Sequence, residues 1–545
     1  MLNPASTLRN SRLTKKNELR SNSWLYPTGL RFFIIVILIL GIFFRFVNLD
    51  RKPYWFDETF TSLRVSGYTE AEMSQQLLNG KFISQEELQK YQRTNVEKSV
   101  IDTIRSLAKE EPQFPPLYFV MVRSWVEWFG NSVEVTRSVS ALISLLAFPC
   151  IYWLCLELFE SPIVGGIAMA IIAISPFHVL YAQEARPYSL WTVLILLSSA
   201  ALLRTMRLQT TLGWATYGIT AVLGLYCYLY FWLVTIGHAI YSITIEGFQL
   251  SKTFRSYLLV SLAGVLVFAL WPLAVVINRP SLHHVSGFWN NSVSRLHLLN
   301  RWSTNFSRIF LDFGFGYPHS LKQAIPQSLV TLSVLLLIGY AIYFLWRQTP
   351  IQTWLFVLTL IGVQGIALML PDLILGRWRL SGEARYLIPS YLGIQLAVAY
   401  LLSSKLTSIF VNFWQQKLWQ LVTILVISAG VVSCVFSSQA EVWWNKGYSQ
   451  YDPEVASLIN KASQPLVLSD DSPNVVIALS YLLNPKVIFQ LVVTPNIPKI
   501  PESFSEVFLY RASETLRSGI EKEHNYKVEP AQKNRELGLW KLTKV

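Results

Sequence analysis

Long apolar runs separated by short polar breaks dominate the chain. Runs of roughly 17–25 apolar residues are the length that crosses a bilayer as a helix. Eleven stand out, at 30–47, 134–159, 162–180, 187–205, 212–228, 229–249, 256–277, 326–346, 351–370, 384–403 and 417–437. The segment 116-PLYFVMVRSWVEWFG-130 is shorter and carries Arg123, Ser124 and Glu127, with Trp on both sides of the Glu. That pattern predicts a helix lying in the membrane interface rather than a span. After Cys434 the pattern changes. The runs 465-PLVLS-469, 486-KVIFQLVV-493 and 505-SEVFLYR-511 read as strands, and 453–462 and 474–483 read as helices. The expected architecture is a polytopic helical membrane domain, 30–437, followed by a small α/β domain, 438–545.

Composition agrees: 52% of the 545 residues are hydrophobic and 14% are charged, which excludes an ordinary soluble enzyme. The four cysteines lie in apolar runs and read as core residues, not as disulfides or a metal site. No cleavable signal peptide is evident, so the basic stretch 1–29 reads as a cytoplasmic tail. With the amino terminus inside, the inner turns hold Arg204 and Arg207, Lys252 and Arg255, Arg347, then Lys405 and Lys417, as the positive-inside bias requires. One inner turn, near 160, has no basic residue. The loops 48–133 and 278–325, the turns near 181–187 and 371–385, and the tail then lie outside, in the expected plasma-membrane topology. That outer face is itself rich in Arg (Arg279, Arg295, Arg301, Arg308, Arg377, Arg379, Arg385), which points to an anionic ligand such as a phosphate.

Candidate chemistry gathers at this edge. In 54-YWFDETFT-61, Asp57 and Glu58 follow the first span. They read either as acids favoured in the first turn of a helix or as a general base with a partner acid or metal ligand. The turn 178-HVLYAQEARPYS-189 brings His178, Gln183, Glu184, Arg186 and Tyr188 between two spans. It is either an ordinary turn with an internal Glu184–Arg186 pair or the lining of a cavity whose five side chains bind substrate or its phosphate; His178 taken alone reads as a structural hydrogen-bonder rather than a metal ligand. Arg137 opens a span, paired with Glu134 at helical spacing or touching a substrate phosphate. Arg385 and Tyr386 open another, where a guanidinium beside free backbone N–H groups suits an anion. No metal, P-loop or nucleic-acid signature is present, although acids from different loops can still meet around a divalent cation.

The order of the pieces resembles the GT-C glycosyltransferases, and most closely the PMT-like branch of glycosyltransferase family 39. The matching residues are FRFVNL and YWFDE around Asp57, 115-PPLYF-119, 137-RSVSAL-142, 174-ISPFHVLYAQEARPYSL-190 and 385-RYLIPS-390. The resemblance implies transfer of a sugar from a polyprenyl-phosphate carrier, with inversion, to an acceptor protein, lipid or glycan at the outer face. By the same resemblance, Asp57 acts on the acceptor with Glu58 beside it, and Arg137 and the QEAR turn border the site. Relatives often place His or Lys before the PPLY pair; here the residue is Phe114. A lipid-linked-sugar flippase or a non-catalytic receptor also fits many spans and outer Arg residues, but a flippase would more often show internal repeats or mid-helix charge.

Overall fold

The computed structural model describes residues 28–277, 292–314, 321–378, 380–407, 412–501, 503–524, 526–532 and 534–544. Residues 1–27 of the stretch expected as a cytoplasmic tail, and Arg279 and Arg379, lie outside these residues. Eight described helices are long and apolar enough to cross a membrane: Gly29–Phe46, Val133–Phe159, Tyr188–Leu208, Lys252–Ala274, Ile325–Gln348, Ile351–Leu375, Ala384–Thr407 and Phe413–Gln439. A bent pair, Pro162–Ala173 and Pro176–Ala182, makes a ninth if counted as one span. The two remaining expected spans are shorter helices, Thr211–Cys227 and Phe231–Ile245. The 116–130 segment is a helix of 13 residues, Leu117–Phe129, which is too short to span. Its Arg123 is buried and donates to the Val65 and Lys98 carbonyls, so the charge serves contacts with the first loop.

Burial ranks the helices. The Ala384–Thr407 window is 89% buried and forms the centre of the bundle, whereas Ile325–Gln348 is 17% buried and presents apolar side chains outward. The bend of 60° between Ala173 and Pro176 falls where Pro cannot continue the helical hydrogen-bond ladder. Arg45, fully inside the bundle, answers the carbonyls this break releases. It donates to Ala173 and Ile172 and to Ser144 Oγ. An Arg within a span is thus solvated by the carbonyls of a broken helix. Gly41 permits the approach, since a Cβ there would stand 2.6 Å from the Ala173 carbonyl oxygen.

The polar part is a six-stranded sheet. Its strands are β1 (Phe82–Ser84), β2 (Pro465–Ser469), β3 (Ile488–Leu491), β4 (Glu506–Tyr510), β5 (Tyr526–Pro530) and β6 (Leu539–Lys544), in the order β1-β3-β2-β4-β6-β5. β2 runs parallel to β3 and β4; the outer pairings are antiparallel. β1 comes from the first loop, so the α/β unit is not confined to 438–545 as the sequence suggests. One apolar cluster joins Leu63, Met73, Leu77 and Leu88 of that loop to Val455, Val476 and Phe489 of the tail. The loop and the tail form one layer over the end of the bundle.

Candidate functional site

The helix Phe56–Val65 starts after Trp55 in extended conformation and carries both acids in its first turn. Adjacent helical residues point about 100° apart, and the two carboxylates separate. Glu58 is completely buried. It forms a two-pronged pair with Arg137, at 2.7 Å to Nε and 2.6 Å to Nη2. It also accepts from Lys446 Nζ at 2.9 Å and from the Ala185 backbone N–H at 2.9 Å. Burial alone pushes its carboxyl upward, but Arg137 and Lys446 outweigh this and hold it well below the ordinary carboxylate range. Asp57 instead stays about one-fifth exposed and faces Arg385, with Oδ2 to Nη1 at 3.0 Å. The contact is an ion pair without hydrogen-bond alignment.

The QEAR turn packs beneath this helix. Arg186 donates to the Asp57 carbonyl at 3.1 Å and to Thr61 Oγ1 at 3.2 Å, and its guanidinium lies over the Phe114 ring. The Phe114 ring thus backs the Arg186 guanidinium. Glu184 pairs with Lys446 at 2.9 Å and accepts from the Asn445 amide, not from Arg186. Arg137 likewise binds Glu58 rather than Glu134, and three of its remaining bonds go to the carbonyls of Leu49, Lys52 and Pro53. Gln183 ties the end of the first span by donating to the Phe44 and Val47 carbonyls. Its Oε1 accepts from Lys52 at 3.4 Å. Lys52 is buried beside Lys446 and Arg137, and burial followed by these like charges pulls its ammonium down to about 7. His178, expected among the substrate-binding residues, hydrogen-bonds Gln395 at 3.0 Å inside the bundle.

Arg385 is the hub. Besides Asp57 it meets Glu383 at 3.8 Å and lies against the rings of Trp55, Tyr188 and Tyr386. Tyr386 in turn packs on Tyr228 and Tyr230. Much of the remaining Arg excess at this end is internally matched. Arg301 pairs with Glu383 and stacks on Trp378, and Arg308 pairs with Asp312 and stacks on Trp444. Among the described residues no three His, Cys, Asp or Glu side chains gather in a way that would hold a metal ion.

Sequence reasoning missed the stretch Trp443–Lys446. Lys446 bridges Glu58 and Glu184, and both Trp443 and Trp444 donate their indole N–H to Asp312, at 2.9 and 2.6 Å. The signal was present: a Trp pair followed by Asn and Lys directly after the last span, at the same end as the acids.

No family model matches the chain, and no curated protein matches it in sequence. Its structure is similar to that of ArnT from Cupriavidus metallidurans bound to undecaprenyl phosphate. The TM-score is 0.54 at 12% identity, over 95% of this chain and 99% of that one. The apo state of ArnT gives 0.53 at 11% identity, with the same coverage. The chain has the GT-C fold. An apo oligosaccharyltransferase from Archaeoglobus fulgidus also shows likeness, with a TM-score of 0.44 at 13% identity, over 83% of this chain and 64% of that one. Within this GT-C bundle, the Asp57–Arg385 pair sits where the first loop, the QEAR turn and the central helix Ala384–Thr407 meet.

Proposed function

We propose that the protein is a membrane glycosyltransferase that moves a sugar from a polyprenyl-phosphate donor to an acceptor hydroxyl or amine at the outer face, with inversion. The observation that carries this is the pairing of a partly exposed carboxylate, Asp57, with a buried guanidinium, Arg385, at the end of a bundle folded like ArnT. ArnT binds undecaprenyl phosphate, which supports a donor of the same chemical class here. The motifs resembling family 39 support the narrower assignment within GT-C.

In this reading the donor enters from the bilayer and its phosphate displaces Asp57 from Arg385. The guanidinium then stabilises the negative charge that grows on the leaving phosphate as the C1–O bond breaks. Asp57, released, accepts the proton of the acceptor as its oxygen or nitrogen attacks C1 from the opposite face. Glu58 serves indirectly: clamped by Arg137 and Lys446, it fixes the helix that aims Asp57. Arg186, through the Asp57 carbonyl, fixes the same turn. The phosphate ester supplies the driving force, so no nucleotide is needed.

The test is transfer of label from a radiolabelled polyprenyl-phosphate-sugar panel, hexosyl and pentosyl, in membranes containing wild type or Asp57→Asn. Loss of the base should lower transfer by on the order of 10²–10⁴-fold. Unchanged transfer in the variant removes Asp57 from this role, and movement of lipid across the bilayer without transfer replaces the enzyme with a flippase.

A further inference from the structure

The central helix Ala384–Thr407 carries Arg385 near its start and Lys405 near its end, about 30 Å away at the usual helical rise. Lys405 therefore marks the end of the bundle opposite the candidate site. Its ammonium lies 4.7 Å from the centre of the Phe344 ring and 5.7 Å from that of Trp419, one ring from each of two neighbouring spans. The clamp is braced in turn. Trp419 stacks on Tyr340 at 5.8 Å, and Phe344 packs on Tyr400, which stacks on Phe159. A lysine at the end of a span ordinarily reaches freely toward water; this one is held half-buried. Among the described residues neither Lys405 nor Arg347, one turn beyond Phe344, has an ion pair or a hydrogen-bond acceptor. The helices Leu321–Gln348, Ile388–Thr407 and Phe413–Gln439 contain no acidic residue. The nearest acid in sequence to these rings, Glu160 beside Phe159, is exposed and pairs with neither cation.

A positioned ammonium and a guanidinium without acids call for an anion, and their surroundings say which kind. Leu336, Tyr340, Phe344 and Arg347 follow at steps of four, four and three, so they share one ridge of their helix. Leu336 and Tyr340 are exposed, which leaves an apolar track running from the cations toward the middle of the span. Trp346 and Trp414, 51% and 80% exposed near the same helix ends, are the residue type that settles at a bilayer surface. Basic pockets between spans on the cytoplasmic side hold phospholipid headgroups, and in the expected topology this end faces the cytoplasm. Lys417 is a built-in contrast. Two positions from Trp419 it points about 200° around the helix, and it lies over Phe413 instead. We propose that Lys405, clamped by Phe344 and Trp419, and Arg347 bind the headgroup phosphate of an anionic phospholipid, whose acyl chain lies along the Leu336–Tyr340 ridge. This lipid site is separate from the donor site and does not depend on the chemistry proposed there.

The test uses the full chain purified in a neutral detergent, with bound lipid counted by native mass spectrometry. The probes are dioleoyl phosphatidylglycerol, dioleoyl phosphatidylcholine and soluble glycerol 3-phosphate. Wild type should bind phosphatidylglycerol about 20-fold more tightly than phosphatidylcholine, roughly fivefold for each of the two cations. Lys405→Gln and Arg347→Gln should each lower the phosphatidylglycerol affinity about fivefold and leave phosphatidylcholine unchanged. Phe344→Leu keeps every charge but loosens the clamp, and should cost about two- to fivefold. Lys417→Gln should cost less than twofold. Arg347 is exposed, so its variant folds even if Lys405→Gln does not. Equal affinity for the two lipids, or none for either, overturns the site. Equal losses from Lys417→Gln and Arg347→Gln would mean diffuse attraction to the basic face, which overturns the clamp. Glycerol 3-phosphate binding as tightly as phosphatidylglycerol would make the ligand a soluble anion and overturn the lipid.

Discussion

Replacing Lys446 by Met tests how the site is held. The ammonium contacts two buried carboxylates, Glu58 and Glu184, each at 2.9 Å. At an effective dielectric of about 20, each contact is worth about 6 kcal/mol before desolvation of the charges takes most of it back. Glu58 keeps its two-pronged Arg137 pair and the Ala185 N–H, so it loses little. Glu184 keeps only the Asn445 amide. The cost therefore falls on Glu184 and should be about 3–5 kcal/mol, the range for leaving one buried charge unpaired. Burial already pushes the Glu184 carboxyl upward, so it can escape by taking a proton. The loss should be smaller at acidic than at alkaline pH. The assay is thermal unfolding of detergent-purified protein followed by tryptophan fluorescence, with Lys446→Met alone and combined with Glu184→Gln. The double variant should recover at least half of the loss. The reasoning fails if Lys446→Met melts with wild type, or if Glu184→Gln deepens its defect.

Lys52 sets a pH dependence of opposite origin. Its ammonium is held at about 7 in the folded protein against an ordinary 10.5, so its buried charge penalises the fold fully below pH 7 and progressively less as pH rises to 10.5. Stability should climb across that window, and Lys52→Met should flatten the climb and melt higher than wild type at neutral pH. Gly41→Ala should destabilise by about 1–3 kcal/mol, because the added methyl meets the Ala173 backbone rather than a yielding side chain. A melting temperature equal to wild type would show that the helix break can shift. Arg385→Lys should retain a charge but lose the planar fork, lowering transfer more than a merely electrostatic role would; activity equal to wild type in the labelled-sugar assay would contradict this.

The helices were legible because a bilayer demands long uninterrupted apolar runs, and each expected span has a helix at its place. The candidate residues were legible as types at one edge. Their partners were not, because pairing is settled by three-dimensional contact between distant segments. Asp57 and Glu58 look equivalent in sequence, yet a step of about 100° along the helix sends Glu58 to a buried clamp and leaves Asp57 partly exposed beside Arg385. Local spacing suggested Glu134–Arg137 and Glu184–Arg186, and in both cases a partner from another segment won. The strand Phe82–Ser84 is three residues long, too short for any alternation to register. Arg45 stands in the last turn of the first helix, and nothing in its own stretch marks it as the partner of carbonyls more than a hundred residues away.

The pairing of β1 with β3 also bears on biogenesis. Phe82 meets Gln490 across the sheet, so the segment following Asp57 acquires its last strand neighbour from nearly the far end of the chain. Closing so long a loop is slow and cannot precede synthesis of both ends. In the proposed orientation, a ribosome-bound intermediate would have most of its spans inserted while the acid-bearing helix still lacked its tail-side packing and the Lys446 clamp. Under the proposed function, transfer would wait until the tail is made and Lys446 has reached Glu58.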